Sequence, residues 1–346
     1  MLSLIWFVLI LGAIVAVHEF GHFIFAKLSN TYVYEFSIGM GKKIFGKKRK
    51  NGETEFCLRM IPLGGYVMIA GEDVVDEKIS KDRQMCNKGF IPRFLILFAG
   101  AFFNFIFAFI ILFLCALIWG ASSVKPYVHD VIENKPAQVA GIEKGDLILS
   151  IDGKEISSWD QLQVVVFVAE DEELTFKVKK ANGDIVEYEI KPEIIENEDG
   201  EQQKVIGISG SDERKRGFVN SLDYAWNKIL AIFASMWDTI VYLFTGKVPL
   251  NQLSGPVGIF GAVDSRAKVG TEALMDLVAY LSVNVGMINL LPFPAFDGGR
   301  ILFLIIEKIF RKPVSKRVEN IIHSVGFFLI IALLLYVTFN DVLKLF

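Results

Sequence analysis

Long apolar runs separated by polar stretches dominate this chain of 346 residues, and four of the runs are long enough to cross a bilayer. A helix needs about 20 predominantly apolar residues to span the hydrocarbon core. The second run carries no charged residue between positions 94 and 124. The pattern therefore predicts a polytopic α-helical membrane protein with four transmembrane helices, at residues 1–28, 93–124, 277–306 and 321–340.

The loop between the first two spans, residues 29–92, contains a shorter pattern of its own. Residues 54–70 predict a membrane-associated β-hairpin, in which two short strands are joined by a turn at Leu63, Gly64 and Gly65. Residues 71–88 are charged and lack a period, which is typical of a solvated connection.

Residues 125–210 change to the composition of a water-soluble domain, with strands on either side of a turn at Asn182-Gly183. The stretch from Asn134 to Gly153 resembles the start of PDZ domains in bacterial proteases. We therefore expect an inserted α+β domain that is PDZ-like.

An amphipathic helix is predicted at residues 217–246, where apolar residues recur at helical spacing. Trp226 and Trp237 suit the headgroup layer and favour an interfacial helix, while the alternative is a helix packed against the PDZ-like domain. The connector at residues 247–276 contains Gly255-Pro256-Val257-Gly258, for which the sequence suggests no role.

Basic residues set the predicted orientation, because cytoplasmic loops carry an excess of Lys and Arg. They cluster at positions 42–50 and in the loop at residues 307–320. Both termini and the PDZ-like domain are therefore expected outside the cytoplasm. The first span has no basic start and no small-residue cleavage site, so we interpret it as retained rather than as a signal peptide.

Composition agrees with the lipid bilayer as the surrounding solvent, since 53% of the residues are hydrophobic and the mean hydropathy is +0.44. The formal net charge of −3 gives no reason to expect a nucleic-acid partner. None of the three cysteines falls in the exported segment, so no disulfide is expected there.

The sequence His18-Glu19-Phe20-Gly21-His22 places two histidines four residues apart near the end of the first span. Residues at this spacing lie on one face of a helix, so both imidazoles can bind one zinc ion. Glu19 is expected to act as general base, taking a proton from the attacking water and passing it to the leaving amine. Ionisable groups are costly inside a membrane span, which favours a functional role over coincidence.

Asp297 is the best candidate for the third protein ligand that catalytic zinc usually has. It lies late in the third apolar segment, at the same membrane depth as the histidines, and Pro292 and Pro294 are predicted to break the helix before it. His323 is an alternative ligand, although a lone histidine at a helix start is more often structural. Three competing acids precede the third segment and are expected near the outer surface: Asp264, Glu272 and Asp276.

In these motifs the sequence resembles the site-2 protease family of intramembrane zinc metalloproteases, in the bacterial type with a single PDZ domain. The resemblance covers all four spans and the PDZ-like insertion. Two motifs depart from the family pattern without removing a chemical group. The usual Leu-Asp-Gly reads Phe296-Asp297-Gly298, and the expected Ala-Gly-Pro reads Ala99-Gly100-Ala101, followed by the matching Asn104.

The resemblance implies a zinc endopeptidase of the bacterial inner membrane that acts in regulated intramembrane proteolysis. Its substrates would be single-span membrane proteins, such as anti-sigma factors or signal-peptide remnants, after another protease has shortened them. It implies zinc ligands at His18, His22 and Asp297, Glu19 as base, and a site towards the cytoplasm. It also suggests that the hairpin holds the substrate as an added strand and that Asn289 contacts its backbone; the substrate-binding residues would be Asn289, Pro292, Pro294, Gly64, Gly65 and Tyr66.

Other functions stay open at the level of sequence. An inactive membrane scaffold that presents the PDZ-like domain would not need Glu19 beside two histidines. A metal transporter would need several acidic or histidine residues along a path across the bilayer. The hairpin has a cytoplasmic role without substrate as its alternative. The PDZ-like domain would either bind a carboxyl-terminal tail near Gly207-Ile208 or exclude substrates with large exported domains.

Overall fold

The computed structural model describes residues 2–48, 50, 52–72, 76–169, 173–196, 202–210, 213–312 and 314–343, which contain α-helices and β-strands. The chain divides into two units, Met1–Ala108 with Leu253–Phe346, and Phe109–Gln252. The helices are α1 Leu2–Leu28, α2 Phe90–Trp119, α3 Pro136–Ala140, α4 Trp159–Val168, α5 Phe218–Phe244, α6 Pro256–Val269, α7 Thr271–Leu290, α8 Asp297–Phe310 and α9 Lys316–Leu343. The strands are β1 Val33–Lys48, β2 Glu55–Ile69, β3 Asp130–Val131, β4 Leu147–Ile151, β5 Lys154–Glu155, β6 Leu174–Lys179, β7 Ile185–Ile190, β8 Glu193–Glu196, β9 Gln202–Val205 and β10 Ile208–Ser209.

Among the described residues, five helices are long and apolar enough to cross a membrane: α1, α2, α5, α7 and Arg317–Leu343 of α9. Three of them match the predicted first, second and fourth spans. The predicted third span is divided between α7 and α8, and α5 is the least apolar of the five, with a mean hydropathy of 1.2. The predicted count of four is therefore not confirmed, whereas an integral membrane protein is.

The break between α7 and α8 lies where the two prolines predict it. Proline fixes its own φ and has no N–H to donate, so helix α7 ends at Leu290 and α8 begins at Asp297. Inside the break Ala295 has a φ of 81°, a conformation that L-residues rarely adopt. A Cβ at Gly298 would collide with the carbonyl oxygens of Leu290 and Leu291, so only glycine lets α8 start this close to the end of α7.

Strands β1 and β2 form the sheet of the first unit, and their pairing differs from the predicted hairpin. Phe36 of β1 is partnered both with Val67 and with Phe56 of β2. Residues 55–58 and 65–69 of β2 therefore lie on opposite sides of the first half of β1. The predicted hairpin is wrong in its pairing, because each half of β2 finds its partner in β1, a strand that the sequence analysis did not predict.

The connection after β2 is less solvated than its charge suggests. Gln84 is 1% exposed, and its side-chain nitrogen donates to the carbonyls of Asp76 at 2.7 Å and Ile79 at 2.8 Å. Met85 packs into the core that joins α1, the sheet, α2 and α8. The prediction of a solvated connection is therefore wrong for these residues, while positions 73–75 lie outside the described residues.

The second unit contains a small α+β domain where the PDZ-like insertion is predicted. Its main sheet has the order β5-β4-β6-β7, and β10 pairs with β3. The apolar core of the domain is closed by α4 and the sheet, with Phe176, Ile148 and Ile151 all 0% exposed.

Helix α5 packs one face against α4 of that domain. Lys228 donates to both carboxylate oxygens of Asp160, at 2.9 and 2.7 Å, and Gln161 donates to Asp238 at 2.8 Å. The alternative prediction, a helix packed against the PDZ-like domain, is therefore confirmed for this face of α5. The other face carries exposed apolar side chains, among them Trp226 and Trp237, each more than half exposed.

The Gly-Pro-Val-Gly motif has a structural role that the sequence did not reveal. Asp341 of α9 is 5% exposed, and its Oδ2 accepts hydrogen bonds from the backbone N–H groups of Gly255 at 2.8 Å and Gly258 at 2.9 Å. A carboxylate at a helix N-terminus satisfies unpaired N–H groups and the helix dipole together. A Cβ at Gly255 would lie 2.9 Å from that oxygen, so glycine admits the carboxylate and the motif joins α6 to α9.

Candidate metal centre

His18 and His22 lie one turn apart on α1, 7% and 9% exposed, and face α2. Two glycines make this approach possible. A Cβ at Gly21 would collide with the carbonyl oxygen of Ala99, so α1 and α2 touch backbone to backbone here. A Cβ at Gly100 would lie 2.8 Å from Cε1 of His18 and would collide with Nε2 of His22. Gly100 therefore opens the space in which the two imidazoles meet.

Asp297 is the first residue of α8, and its Oδ2 lies 3.1 Å from Nε2 of His18 and 3.3 Å from Nε2 of His22. The two Nε2 atoms are 3.2 Å apart. A tetrahedral zinc ion with bonds of about 2.0–2.1 Å holds its ligand atoms about 3.3 Å apart. The three atoms thus outline one face of a zinc tetrahedron.

Hydrogen bonding supports the same donor set. Nδ1 of His22 lies 2.8 Å from the carbonyl oxygen of Ile96 and donates to it, which leaves a lone pair on Nε2. If Nε2 of His18 also carries a lone pair, the two nitrogens at 3.2 Å repel each other unless a cation lies between them. The described residues therefore fit a zinc ion, with a fourth position open.

The first turn of α8 is held to the segment after β2. Arg300 forms an ion pair with Glu72. This contact fixes the beginning of α8, where Asp297 lies, and the end of the sheet beside it.

Glu19 lies against the outer part of β2. Its carboxylate accepts a hydrogen bond from the backbone of Val67, and a Cβ at Gly65 would be 3.5 Å from Cγ of Glu19. Residues 65–69 pair with β1 on one side, and no other described strand pairs with their outer edge. Glu19 therefore stands beside a sheet edge that no other described strand covers.

A polar network holds this edge in register. Oε1 of Glu35 accepts from Tyr66 at 2.8 Å and from Nη2 of Arg59 at 2.7 Å. Burial acts to raise the pKa of Glu35, but the hydrogen bonds from Arg59 and Tyr66 outweigh it and hold this pKa below its ordinary value. Glu35, Glu55 and Cys57 also cluster as possible metal donors, but Arg59 and Lys43 already pair with the two carboxylates.

Comparison with known proteins identifies the family. The model of peptidase family M50 matches residues 6–333. The chain belongs to peptidase family M50. Zinc metalloprotease RasP of Shouchella clausii is 32% identical, with 99% of each chain covered. Relatives from Clostridium perfringens and Fusobacterium nucleatum, 36% and 37% identical with 98% of each chain covered, also bear zinc-metalloprotease names. As an M50 member the protein is a zinc metalloprotease of the site-2 protease family.

Among solved structures, the PDZ domain of an SdrC-like protein from Listeria monocytogenes covers 26% of this chain and 92% of its own, at 23% identity and a TM-score of 0.23. The corresponding domain from Listeria innocua covers 26% and 97%, at 27% identity and a TM-score of 0.22.

The other predicted residues of this M50 protein make contacts of their own, outside the cluster of His18, His22 and Asp297. Asn289 donates from Nδ2 to the carbonyl of Val285 at 2.9 Å. Pro292 and Pro294 form the break before Asp297. His323, the alternative ligand, accepts from the N–H of Ala295 at 3.1 Å and lies outside the cluster of His18, His22 and Asp297, which supports its structural role. Asp264, one of the competing acids, pairs instead with Lys268 and with Ser3. The three cysteines are free thiols.

Gly100 and the carbonyl of Ile96 were missed as parts of the centre. The sequence showed Gly100 only within a family-like motif, although a glycine inside an otherwise bulky apolar helix is itself a sign of close approach. A backbone carbonyl leaves no trace in the sequence.

Proposed function

We propose that this protein is an intramembrane zinc endopeptidase that cleaves the transmembrane segments of single-span membrane proteins. In this proposal His18, His22 and Asp297 hold the zinc ion, and Glu19 is the general base. The observation that carries it is the meeting of His18 and His22, on a helix long and apolar enough to cross a membrane, with Asp297 of α8, beside a sheet edge that no other described strand covers. An inactive scaffold would have no use for this arrangement.

Zinc and Glu19 have different roles in the proposed hydrolysis. Zinc, when bound, supplies a Lewis acid that activates the attacking water and polarises the scissile carbonyl. Glu19 takes the proton from that water and delivers it to the leaving amine. The apolar surroundings of the site strengthen these electrostatic interactions.

A transmembrane helix hides its carbonyls in internal hydrogen bonds, so the segment to be cut must first unwind. The outer edge of residues 65–69 offers unwound substrate a strand partner directly beside Glu19. A Cβ at Gly65 would lie 2.8 Å from the carbonyl oxygen of Ser37, and one at Gly64 would collide with the side chain of Met40, so both glycines let this edge approach β1. Tyr66, tied to Glu35, keeps the edge strand aligned.

Strand addition predicts a period of two in the substrate's backbone requirements. We expect N-methylation of single amides near the scissile bond to slow cleavage about tenfold or more at alternate residues only, because successive N–H groups of a strand point to opposite sides. The measurement is the cleavage rate of a synthetic transmembrane peptide, methylated at one residue at a time. Each neighbouring position is the control, and equal tolerance at all positions would contradict strand addition.

For the orientation we propose that both termini and the PDZ-like domain lie outside the cytoplasm and that the site lies towards the cytoplasmic side.

We propose further that the substrates have already been shortened outside the cytoplasm by another protease. The test compares membrane proteomes of wild-type cells and cells carrying Glu19→Gln. Membrane stubs that lack their exported domains should accumulate only in the variant. If no stub accumulates, the proposed intramembrane cleavage is wrong, and if only full-length proteins accumulate, the prior cut is wrong.

A further inference from the structure

Asn104 is a buried polar residue in the part of helix α2 that carries no charge, and its side chain reaches the candidate metal centre. It is 0% exposed, and its carboxamide Nδ2 lies 3.4 Å from Nδ1 of His18. In this orientation its Oδ1 has no hydrogen-bond partner. A buried acceptor without a partner costs about 1–3 kcal/mol, so the residue needs a reason to be there.

The chemistry of His18 supplies that reason. Its Nε2 points towards Asp297 and His22, and if it binds zinc through a lone pair, its hydrogen is on Nδ1. The group opposite Nδ1 must then be an acceptor. A 180° rotation of the Asn104 carboxamide about its Cβ–Cγ bond exchanges Oδ1 and Nδ2 and brings Oδ1 opposite Nδ1 of His18.

His22 has a matching arrangement one turn further along α1. Its Nδ1 donates to the carbonyl of Ile96, again on α2. Ile96, Gly100 and Asn104 are spaced by four residues, so they lie along one face of α2: the outer two hold the imidazoles, and the middle one makes room for them. The backbone of Asn104 is held in place, because its main-chain carbonyl oxygen accepts a hydrogen bond from Oγ of Ser282 on α7 at 2.9 Å.

We propose that Asn104 is a positioning residue of the metal centre, whose carboxamide oxygen accepts the Nδ1 hydrogen of His18 and thereby directs Nε2 to the zinc ion. This inference rests on the proposed function, in which His18 is a zinc ligand. Partners of this kind fix the tautomer and ring orientation of a metal-binding histidine, and their loss typically weakens metal binding about 10- to 100-fold.

The test compares the zinc affinity of the purified full chain with that of Asn104→Leu and Asn104→Asp, by competition with a chelator of known affinity. Leucine has a similar size but no acceptor, so we expect zinc binding to weaken about 10- to 100-fold. Aspartate keeps an acceptor oxygen, and we expect an affinity within about threefold of wild type. The unfolding midpoint of the metal-stripped leucine variant should equal or exceed that of wild type, since a buried polar group is removed.

Wild-type zinc affinity in Asn104→Leu would overturn the positioning role. Zinc binding by Asn104→Asp that is as weak as that of Asn104→Leu would also overturn it, because the acceptor oxygen would then be irrelevant. A wild-type protein that binds no zinc would instead overturn the proposed function itself, which keeps the two failures apart.

Discussion

Replacing Glu19 by glutamine is expected to lower the rate of peptide cleavage about 10²- to 10⁴-fold, the usual contribution of a general base. The amide has the size of the carboxylate but cannot take up the proton of the attacking water. Glu19 is not among the three donor atoms that lie within 4.8 Å of one another, so zinc should stay bound. Cleavage of a transmembrane peptide and zinc content, measured on the same detergent-solubilised preparation, check both expectations.

The same chemical change at Glu133, on the exposed surface of the PDZ-like domain, is the matched control and should leave both measurements unchanged. Glu19→Gln protein that cleaves at the wild-type rate would refute the role as base. Loss of zinc together with activity would make Glu19 a metal ligand instead.

Much of the candidate centre was predictable from the sequence because helical geometry is local. His18 and His22 share a face of α1 by their spacing alone. Asp297 was predictable because a carboxylate inside an apolar segment is costly without a partner, and the two prolines marked the backbone break before it.

Strand pairing was less predictable because it is not local. The two halves of β2 carry a pattern that fits a hairpin, but each half pairs with β1, and nothing within residues 54–70 encodes that choice. The contact of Asp341 with the Gly-Pro-Val-Gly motif was not predicted for the same reason, since its partners Gly255 and Gly258 lie more than 80 residues away.

Gly100 shows how a residue without a functional group can control a metal centre. Every other position around it on α2 carries a side chain, and here a single methyl group would occupy the space of the two imidazoles. Interiors are close-packed, so the collision must be relieved by moving His18 and His22 or by separating α1 from α2. The second route would break the close backbone packing of Gly21 against Ala99 and lose its dispersion energy.

Gly100→Ala is therefore expected to weaken zinc binding and to lower cleavage about a hundredfold, since displacement of reacting groups by about 1 Å costs that much. Zinc affinity by chelator competition and the peptide cleavage rate are the measurements. Gly261→Ala on α6 is the matched control, because a Cβ there meets no atom within 4 Å, and it should be neutral or slightly stabilising. Wild-type zinc affinity in Gly100→Ala would mean that the imidazoles do not meet against this face of α2, and the donor geometry would have to be abandoned.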